Sequence, residues 1–248
     1  MSRKGATRRS KIVEQDDVPR TRVIKEKFMD ERVGTVQKLV PLNEKQRDYI
    51  YKINTKAMVI ATGFAGTSKT YIPTVMACEA YRSGAVKKIV FTRPNVSNSK
   101  SLGMFKGDLI EKMSQWLMPV IGILRENLGE NVLEIALKRG DIEFVPLEVI
   151  KGYSASDCYF ICDEAEDLSA DEAKKVVTRQ GKNCKMILCG DVSQSELKER
   201  SGLKVLTEMV KKYPHLDVGL VDFNNINDIV RSKQCKEWII AFNKEGNN

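Results

Sequence analysis

The chain has 248 residues, of which 42% are hydrophobic, and this size and composition are typical of one globular domain with a sizeable core. Its formal net charge of +8, from 41 basic and 33 acidic side chains, is consistent with a polyanionic partner. No stretch approaches the roughly 18 consecutive apolar residues of a membrane helix, and the N-terminus lacks a signal peptide's apolar segment, so we expect a cytoplasmic protein with no membrane partner.

Residues 1–38 are predicted to form a disordered basic arm, and residues 39–248 to form the folded domain. The start of the arm has few apolar side chains and many cationic ones, namely Arg3, Lys4, Arg8, Arg9, Lys11, Arg20 and Arg22. These charges fit either simple solvation or a tail that grasps nucleic acid, and the sequence leaves both interpretations open.

The remaining chain alternates between helical and strand-like patterns. The predicted helices span residues 44–54, 71–82, 108–117, 120–127, 131–138, 170–178, 203–211 and 226–242. The predicted strands span residues 57–61, 88–92, 142–145, 158–162, 185–189 and 217–221. Strands that alternate with helices predict an α/β fold, in which a mainly parallel sheet is covered by helices on both faces. The order of the strands in the sheet does not follow from this pattern.

A glycine-rich segment joins the first predicted strand to the helix that follows it. It consists of Gly63, Phe64, Ala65, Gly66, Thr67, Ser68, Lys69 and Thr70. A turn of this kind directs backbone N–H groups and the positive end of the helix towards one point, where a phosphate can bind. Lys69 would then contact the outer phosphates, and the Thr70 hydroxyl would bind Mg²⁺. The segment therefore predicts a binding site for ATP and Mg²⁺.

Ser68 departs from the phosphate-loop pattern G-x-x-x-x-G-K-[ST], which has glycine at this position. The backbone there passes close to the phosphate, so a side chain costs space or strain. Serine is the smallest polar replacement, and we expect an adapted loop that still binds nucleotide.

Two adjacent carboxylates, Asp163 and Glu164, follow the apolar strand at 158–162. Ligands bind at the carboxyl ends of strands in open α/β sheets, so Asp163 is placed to hold Mg²⁺ and Glu164 to polarise an attacking water. The alternative is an acidic turn that opens a helix, where carboxylates suit the helix dipole. The phosphate loop upstream favours the catalytic interpretation.

Gln194 follows the strand at 185–189 and a glycine turn, so it also belongs to the carboxyl edge of the predicted sheet. It is a candidate to contact the γ-phosphate or to orient the attacking water. An ordinary turn is the alternative.

In combination these segments resemble the motifs of superfamily 1 helicases, which match at residues 42–46, 63–70, 92–94, 163–165 and 190–194. More narrowly, the chain is similar to PhoH-type ATPases at residues 102–113, 142–147, 178–181, 201–203 and 228–231. The resemblance covers residues 40–243. It implies a RecA-like P-loop NTPase core with ATPase activity, a tendency to form hexameric rings, and action on RNA or other single strands.

The resemblance also assigns residues beyond the phosphate loop. Gln46 is expected to contact the adenine edge, and Arg231, in the predicted closing helix, to act as an arginine finger. A solvent-facing arginine is the alternative for Arg231. Since the chain holds one RecA-like core, we expect a neighbouring subunit to complete the site, with Arg231 acting in trans. Nucleic-acid contacts are expected from Arg93, Lys100, Lys151 and Tyr153.

Alternatives remain for those nucleic-acid contacts, namely surface charge for the cations and a packed ring for Tyr153. Glu166 is a further departure, because the family has glutamine after Asp-Glu-Ala. The leading interpretation is an ATPase driven by single-stranded nucleic acid, RNA in preference, and a helicase in function. One alternative is a nucleotide-gated ring or scaffold with weak turnover. Another is a small-molecule P-loop kinase, which Glu164 disfavours because it supplies a water-activating group.

Overall fold

A computed structural model describes residues 38–94, 109–195, 197 and 200–245 of the chain. Residues 1–37 of the predicted basic arm lie outside the described residues, as do Lys100 and the start of the predicted helix at 108–117. Among the helices that are described, none is long and apolar enough to cross a lipid bilayer.

The centre of the domain is a six-stranded sheet, and every strand pair in it is parallel. The strands are β1 (Met58–Gly63), β2 (Lys88–Thr92), β3 (Ile142–Phe144), β4 (Cys158–Cys162), β5 (Cys184–Gly190) and β6 (Val218–Phe223). Their order across the sheet is β3-β2-β4-β5-β1-β6. All five residues of β4 are buried, as expected of a central strand with helices on both faces. The predicted α/β fold with a parallel sheet is confirmed.

Helices cover both faces of this sheet. They are α1 (Glu44–Thr55), α2 (Tyr71–Arg82), α3 (Leu109–Leu128), α4 (Glu130–Arg139), α5 (Ala170–Val177), α6 (Gly202–Lys212) and α7 (Lys233–Glu245). Helices α1 to α4 bury apolar side chains against one face, through residues such as Tyr49, Ile72, Leu124 and Leu133. Helices α5 and α6 contribute Val176 and Leu203 to the core on the other face.

Local sequence signals set two of the helix starts. Asn43 precedes α1, and its side-chain oxygen accepts a hydrogen bond of 2.8 Å from the backbone N–H of Gln46. Ser169 precedes α5 and forms a reciprocal capping box with Glu172. These caps satisfy N–H groups that have no partner inside the helix, and so they fix where each helix begins.

The structure differs from the predicted helices in two places. The helices predicted at 108–117 and 120–127 form one continuous helix, α3, which runs through Pro119. After the proline, Val120, Leu124 and Leu128 form a buried stripe that packs against the core. The predicted closing helix at 226–242 is wrong at its start. The chain forms a short 3₁₀ turn at Ile226–Asp228, and α7 begins only at Lys233.

Candidate nucleotide-binding site

A cavity of about 400 Å³ lies at the carboxyl edge of the sheet, where β1, β4 and β5 end and α2 begins. Its walls bring together most of the predicted site residues. They include Ala65, Gly66, Thr67, Ser68, Lys69, Thr70, Arg93, Asp163, Glu164, Gln194 and Arg231. Segments far apart in the sequence thus meet at the edge where open α/β sheets bind ligands.

The edge strand β6 fixes the start of the phosphate loop. Gly63 has a φ of +114°, and a Cβ atom built on it would lie 2.5 Å from the carbonyl carbon of Phe223. The next residue, Phe64, donates its backbone N–H to the Phe223 oxygen at 3.1 Å. Only glycine fits a position that combines this φ with such a close approach of backbone.

The segment after β6 contacts the middle of the loop. The backbone N–H of Val230 donates to the Gly66 oxygen at 2.9 Å. A Cβ atom on Gly66 would lie 2.6 Å from Cγ of Arg231, so the arginine side chain lies directly on this glycine. Arg231 therefore reaches the phosphate loop of its own subunit, from the turn that precedes α7. Its predicted place in a closing helix is wrong, because that helix begins only at Lys233. Its action in trans on a neighbouring subunit stays a prediction.

Ser68 adopts a left-handed backbone conformation, with a φ of +70°. Glycine enters this region freely, whereas another residue pays roughly 1–2 kcal/mol. The strain expected of the serine is therefore present, and its source is the backbone angle. The Ser68 oxygen nevertheless accepts the first hydrogen bond of α2, from Ile72 at 3.1 Å, so the loop still leads directly into the helix.

Lys69 turns its ammonium group onto the loop, where Nζ donates to the backbone oxygens of Gly63 and Phe64, both at 2.6 Å. Burial lowers the pKa of this amine, and the nearby Asp191 carboxylate opposes that shift. The Lys69 carbonyl is held in turn by the Tyr49 hydroxyl at 2.9 Å. Tyr49 was missed from sequence because nothing local marks it, since it looks like one more buried residue of α1.

Thr70 and Asp163 form the predicted metal pair. The Thr70 hydroxyl donates to Oδ1 of Asp163 at 2.6 Å. Burial raises the pKa of the Asp163 carboxyl, while the hydrogen bond from Thr70 acts in the opposite direction. A hydroxyl oxygen beside a partly buried carboxylate is the kind of ligand pair that Mg²⁺ prefers. These residues fit the expected cofactor, which would draw charge from a triphosphate when bound.

Glu164 has the left-handed angles φ +49° and ψ +39°, which are uncommon outside glycine and recur at functional sites. Its Oε1 accepts a hydrogen bond of 3.3 Å from Arg93. Arg93 was predicted as a nucleic-acid contact. The structure places it in the wall of the cavity, beside the candidate base. Its contact with nucleic acid stays a prediction.

Gln194 lies at the predicted position, in the 3₁₀ turn Val192–Gln194 after β5. Its Nε2 donates to Oδ2 of Asp191 at 2.7 Å. Asp191 also accepts from the backbone N–H and hydroxyl of Ser193 through its other oxygen. Asp191 is a further cavity residue to which the sequence analysis gave no role, although its position directly after an apolar strand was a usable signal.

Gln46 is not among the residues that line the cavity, since it is 2% exposed and lies behind the phosphate loop. Its side-chain oxygen accepts from the backbone N–H of Leu42 at 2.8 Å, and its Nε2 donates to the Thr67 carbonyl at 3.4 Å. This geometry makes it a support for the loop. Its contact with adenine stays a prediction.

The two remaining nucleic-acid candidates lie away from the cavity. Lys151 is exposed in the 3₁₀ turn Leu147–Gly152. Tyr153 is half-buried, its hydroxyl donates to Glu143 at 2.7 Å, and its ring packs against Phe160 with centroids 6.4 Å apart. This arrangement matches the packed-tyrosine alternative.

The family model for PhoH-like proteins matches residues 38–243, which is nearly all of the described domain. The chain is 37% identical over 202 residues to a PhoH-like protein of Bacillus subtilis, a match that covers 81% of this chain and 62% of the relative. It is 32% identical over 203 residues to protein PhoH of Escherichia coli, covering 81% and 57% of the two chains. The chain thus spans less than two thirds of the length of these relatives.

Among solved structures, the chain is similar to the large terminase of a thermophilic bacteriophage. The TM-score is 0.47 at 12% identity, and the match covers 80% of this chain and 50% of the terminase. A match to the Pif1 helicase of Candida albicans has a TM-score of 0.33 at 12% identity, and it covers 77% of this chain and 42% of the helicase. Similarities at this level support no conclusion about function.

Proposed function

This chain belongs to the PhoH-like protein family, and we propose that it binds Mg²⁺·ATP and hydrolyses it at the cavity on the carboxyl edge of the sheet. One observation carries the proposal. Lys69, Thr70, Asp163 and Glu164 come from two distant segments and line one cavity, with Thr70 and Asp163 in direct contact. This set contains a phosphate-binding amine, two metal-binding oxygens and a base, as hydrolysis of a triphosphate requires.

The side chains have separate tasks in this proposal. The phosphate loop binds the β- and γ-phosphates through its backbone N–H groups and through Lys69. Arg231 lies on Gly66 and can place its charge beside the transferred phosphoryl group from within the same subunit. Glu164 accepts hydrogen bonds from the attacking water and orients it.

Phosphate release from Mg²⁺·ATP tests the proposal. We expect hydrolysis by the wild type, a loss of about 100-fold or more in kcat for Glu164→Gln with ATP binding retained, and loss of ATP binding for Lys69→Ala. Lys138→Ala is the matched control, because Lys138 forms an exposed i,i+4 pair with Glu134 on α4. Full activity of Glu164→Gln would contradict the assignment of the base.

We propose further that single-stranded nucleic acid, RNA in preference, stimulates this hydrolysis in a helicase-like ring. Support comes from the net charge of +8 and from the motif resemblance. Phosphate release measured with and without single-stranded RNA or DNA tests whether nucleic acid stimulates hydrolysis and which kind does so. The salt dependence of this stimulation reports how many backbone phosphates the protein contacts. Native mass spectrometry with nucleotide tests the ring, and a fully active monomer would contradict it.

A nucleotide-gated scaffold with weak turnover is the second candidate, and the strained backbone at Ser68 favours it. Tight ATP binding by the wild type with negligible phosphate release would support it over an ATPase. Transfer of phosphate to an acceptor other than water would support a kinase.

A further inference from the structure

Glu166 is an acidic side chain in an apolar position at the back of the candidate site. Glu166 is 2% exposed, and its Oε2 has no hydrogen-bond partner among the described residues. A Cβ atom built on Gly190 would collide with this oxygen and with Leu203, so the carboxyl lies against the end of β5. A charge confined in this way, without a cation against it, is costly.

The second carboxyl of the site, Glu164, lies within hydrogen-bonding reach of Glu166. Two carboxylates in contact cannot both stay ionised at low cost, and the more buried one takes the proton. Arg93 is hydrogen-bonded to Glu164, so that carboxyl already has a cationic partner. Burial, followed by the contact with Glu164, raises the pKa of Glu166 from its ordinary 4.5 to about 9.

We propose that Glu166 is a positioning residue, whose neutral carboxylic acid donates a hydrogen bond to Glu164 and fixes the orientation of that carboxylate. Glu164 is thereby held from two sides, by a cation and by a neutral O–H donor. A glutamine at this position would supply an N–H donor of similar reach. The inference rests on the proposed function insofar as Glu164 orients water.

Other titratable groups lie around Glu166, and each belongs to a different element. Lys69 of the phosphate loop, Cys162 of β4, Cys189 of β5 and Asp191 after β5 all lie close enough to interact with it or its neighbours. Burial raises the pKa of both thiols, so they stay neutral near pH 7. The Lys69 amine is the only one of these four that adds positive charge, and it is hydrogen-bonded to the loop carbonyls.

The stability of the protein gives a test that does not depend on turnover. Because Glu166 has a raised folded-state pKa, folding takes up a proton between about pH 4.5 and pH 9, so wild-type stability falls as pH rises across this window. Glu166→Gln removes this dependence. We expect the difference in Tm between Glu166→Gln and the wild type to shift in favour of the variant by at least about 4 °C from pH 5 to pH 8.5. Glu126→Gln, an exposed site on α3, is the control and should show a constant difference.

Catalysis gives the second test. Near pH 7.5 we expect Glu166→Ala to lose on the order of 10- to 100-fold in kcat, because the base is no longer held in place, and Glu166→Gln to stay within about threefold of wild type. Between pH 8 and pH 10 the wild-type kcat/KM should fall about tenfold relative to Glu166→Gln, since only the acid can lose its proton.

The two tests fail in different ways. A Tm difference that is independent of pH, or a Gln variant as slow as the Ala variant, would overturn the proposal. If Glu166→Ala does not fold, the pair of wild type and Glu166→Gln still decides it. If the wild type hydrolyses no ATP, the proposed function and the orienting role both fail, while the Tm comparison still reports whether the carboxyl is neutral.

Discussion

The phosphate loop and the carboxyl end of β4 face each other across one cavity, but main-chain contacts tie the loop to neighbouring segments, whereas side-chain contacts orient the Glu164 carboxyl opposite it. The loop is bound through the backbone of Phe64 to β6 and through Gly66 to Val230. Opposite it, Glu164 depends on the guanidinium of Arg93 and on the buried acid of Glu166.

This difference separates binding from chemistry. Backbone hydrogen bonds survive most substitutions, so the shape of the loop depends on the few positions where a side chain cannot fit. The Glu164 carboxyl at the end of β4 is oriented by a few side-chain contacts, and each of them can be removed by one substitution. We therefore expect changes in the loop to alter stability and nucleotide affinity, and changes opposite it to alter kcat.

The largest effect is expected from Gly63→Ala. A methyl group at this position would meet the Phe223 backbone at 2.5 Å and would also have to tolerate a φ of +114°. We expect a loss of about 3 kcal/mol or more in the free energy of unfolding, measured in urea, together with loss of ATP binding. Gly84→Ala is the matched control, because Gly84 has a φ of +75° with nothing within 4 Å of an added Cβ, and it should cost only ~1 kcal/mol. Equal losses would mean that the contact with β6 does not shape the loop.

Gln46→Ala tests whether Gln46, which supports the phosphate loop from behind, also contacts the adenine of ATP. The substitution leaves the Leu42 N–H and the Thr67 carbonyl without the side-chain amide, and we expect a loss of about 2 kcal/mol in stability. Because the loop serves any nucleoside triphosphate, ATP and GTP affinities should fall by the same factor, as isothermal titration calorimetry can measure. A fall confined to ATP would restore the predicted adenine contact.

The parts of this site that lie within one continuous segment could be predicted from the sequence. The phosphate loop and the Asp163–Glu164 pair each follow an apolar strand directly, so residue order alone places them at the carboxyl edge of the sheet. The contacts of Arg231 with Gly66 and of Arg93 with Glu164 join segments far apart in sequence. No periodicity or turn signal encodes such packing, so neither contact could be predicted from the sequence.

The same reason explains the error at the closing helix. The sequence predicts a helix from residue 226, but the backbone of Val230 pairs with Gly66 and the segment around Val230 is extended. A tertiary hydrogen bond to the loop thus outweighs local helix propensity. Strand order was open for a related cause, because crossovers between parallel strands leave no mark in the composition of the strands.

Arg93→Gln probes the side of the cavity that depends on charge. It removes the cation from Glu164, and we expect kcat for ATP hydrolysis to fall about tenfold, ~1.4 kcal/mol in activation free energy, with KM for ATP changed by less than about threefold. Arg47→Gln, which breaks an exposed pair with Glu44 on α1, should leave both constants within error. If Arg93 instead binds a phosphate of a single-stranded nucleic acid, Arg93→Gln will leave kcat unchanged. The salt dependence of nucleic-acid affinity will then correspond to about one phosphate contact fewer.

The smallest effect is expected from Ser68→Gly, which tests how much the backbone strain in the phosphate loop costs. Glycine relieves the roughly 1–2 kcal/mol that the left-handed angle of Ser68 costs, but it also gives the unfolded chain more freedom, worth up to ~1 kcal/mol. The net result should be a gain of about 0.5–1 kcal/mol in the free energy of unfolding, measured in urea with and without ATP. If the strain also limits turnover, kcat will rise together with stability, as the scaffold alternative requires. If stability rises and kcat does not, the serine is a tolerated departure, and the rate is set on the opposite side of the cavity by Glu164 and its partners.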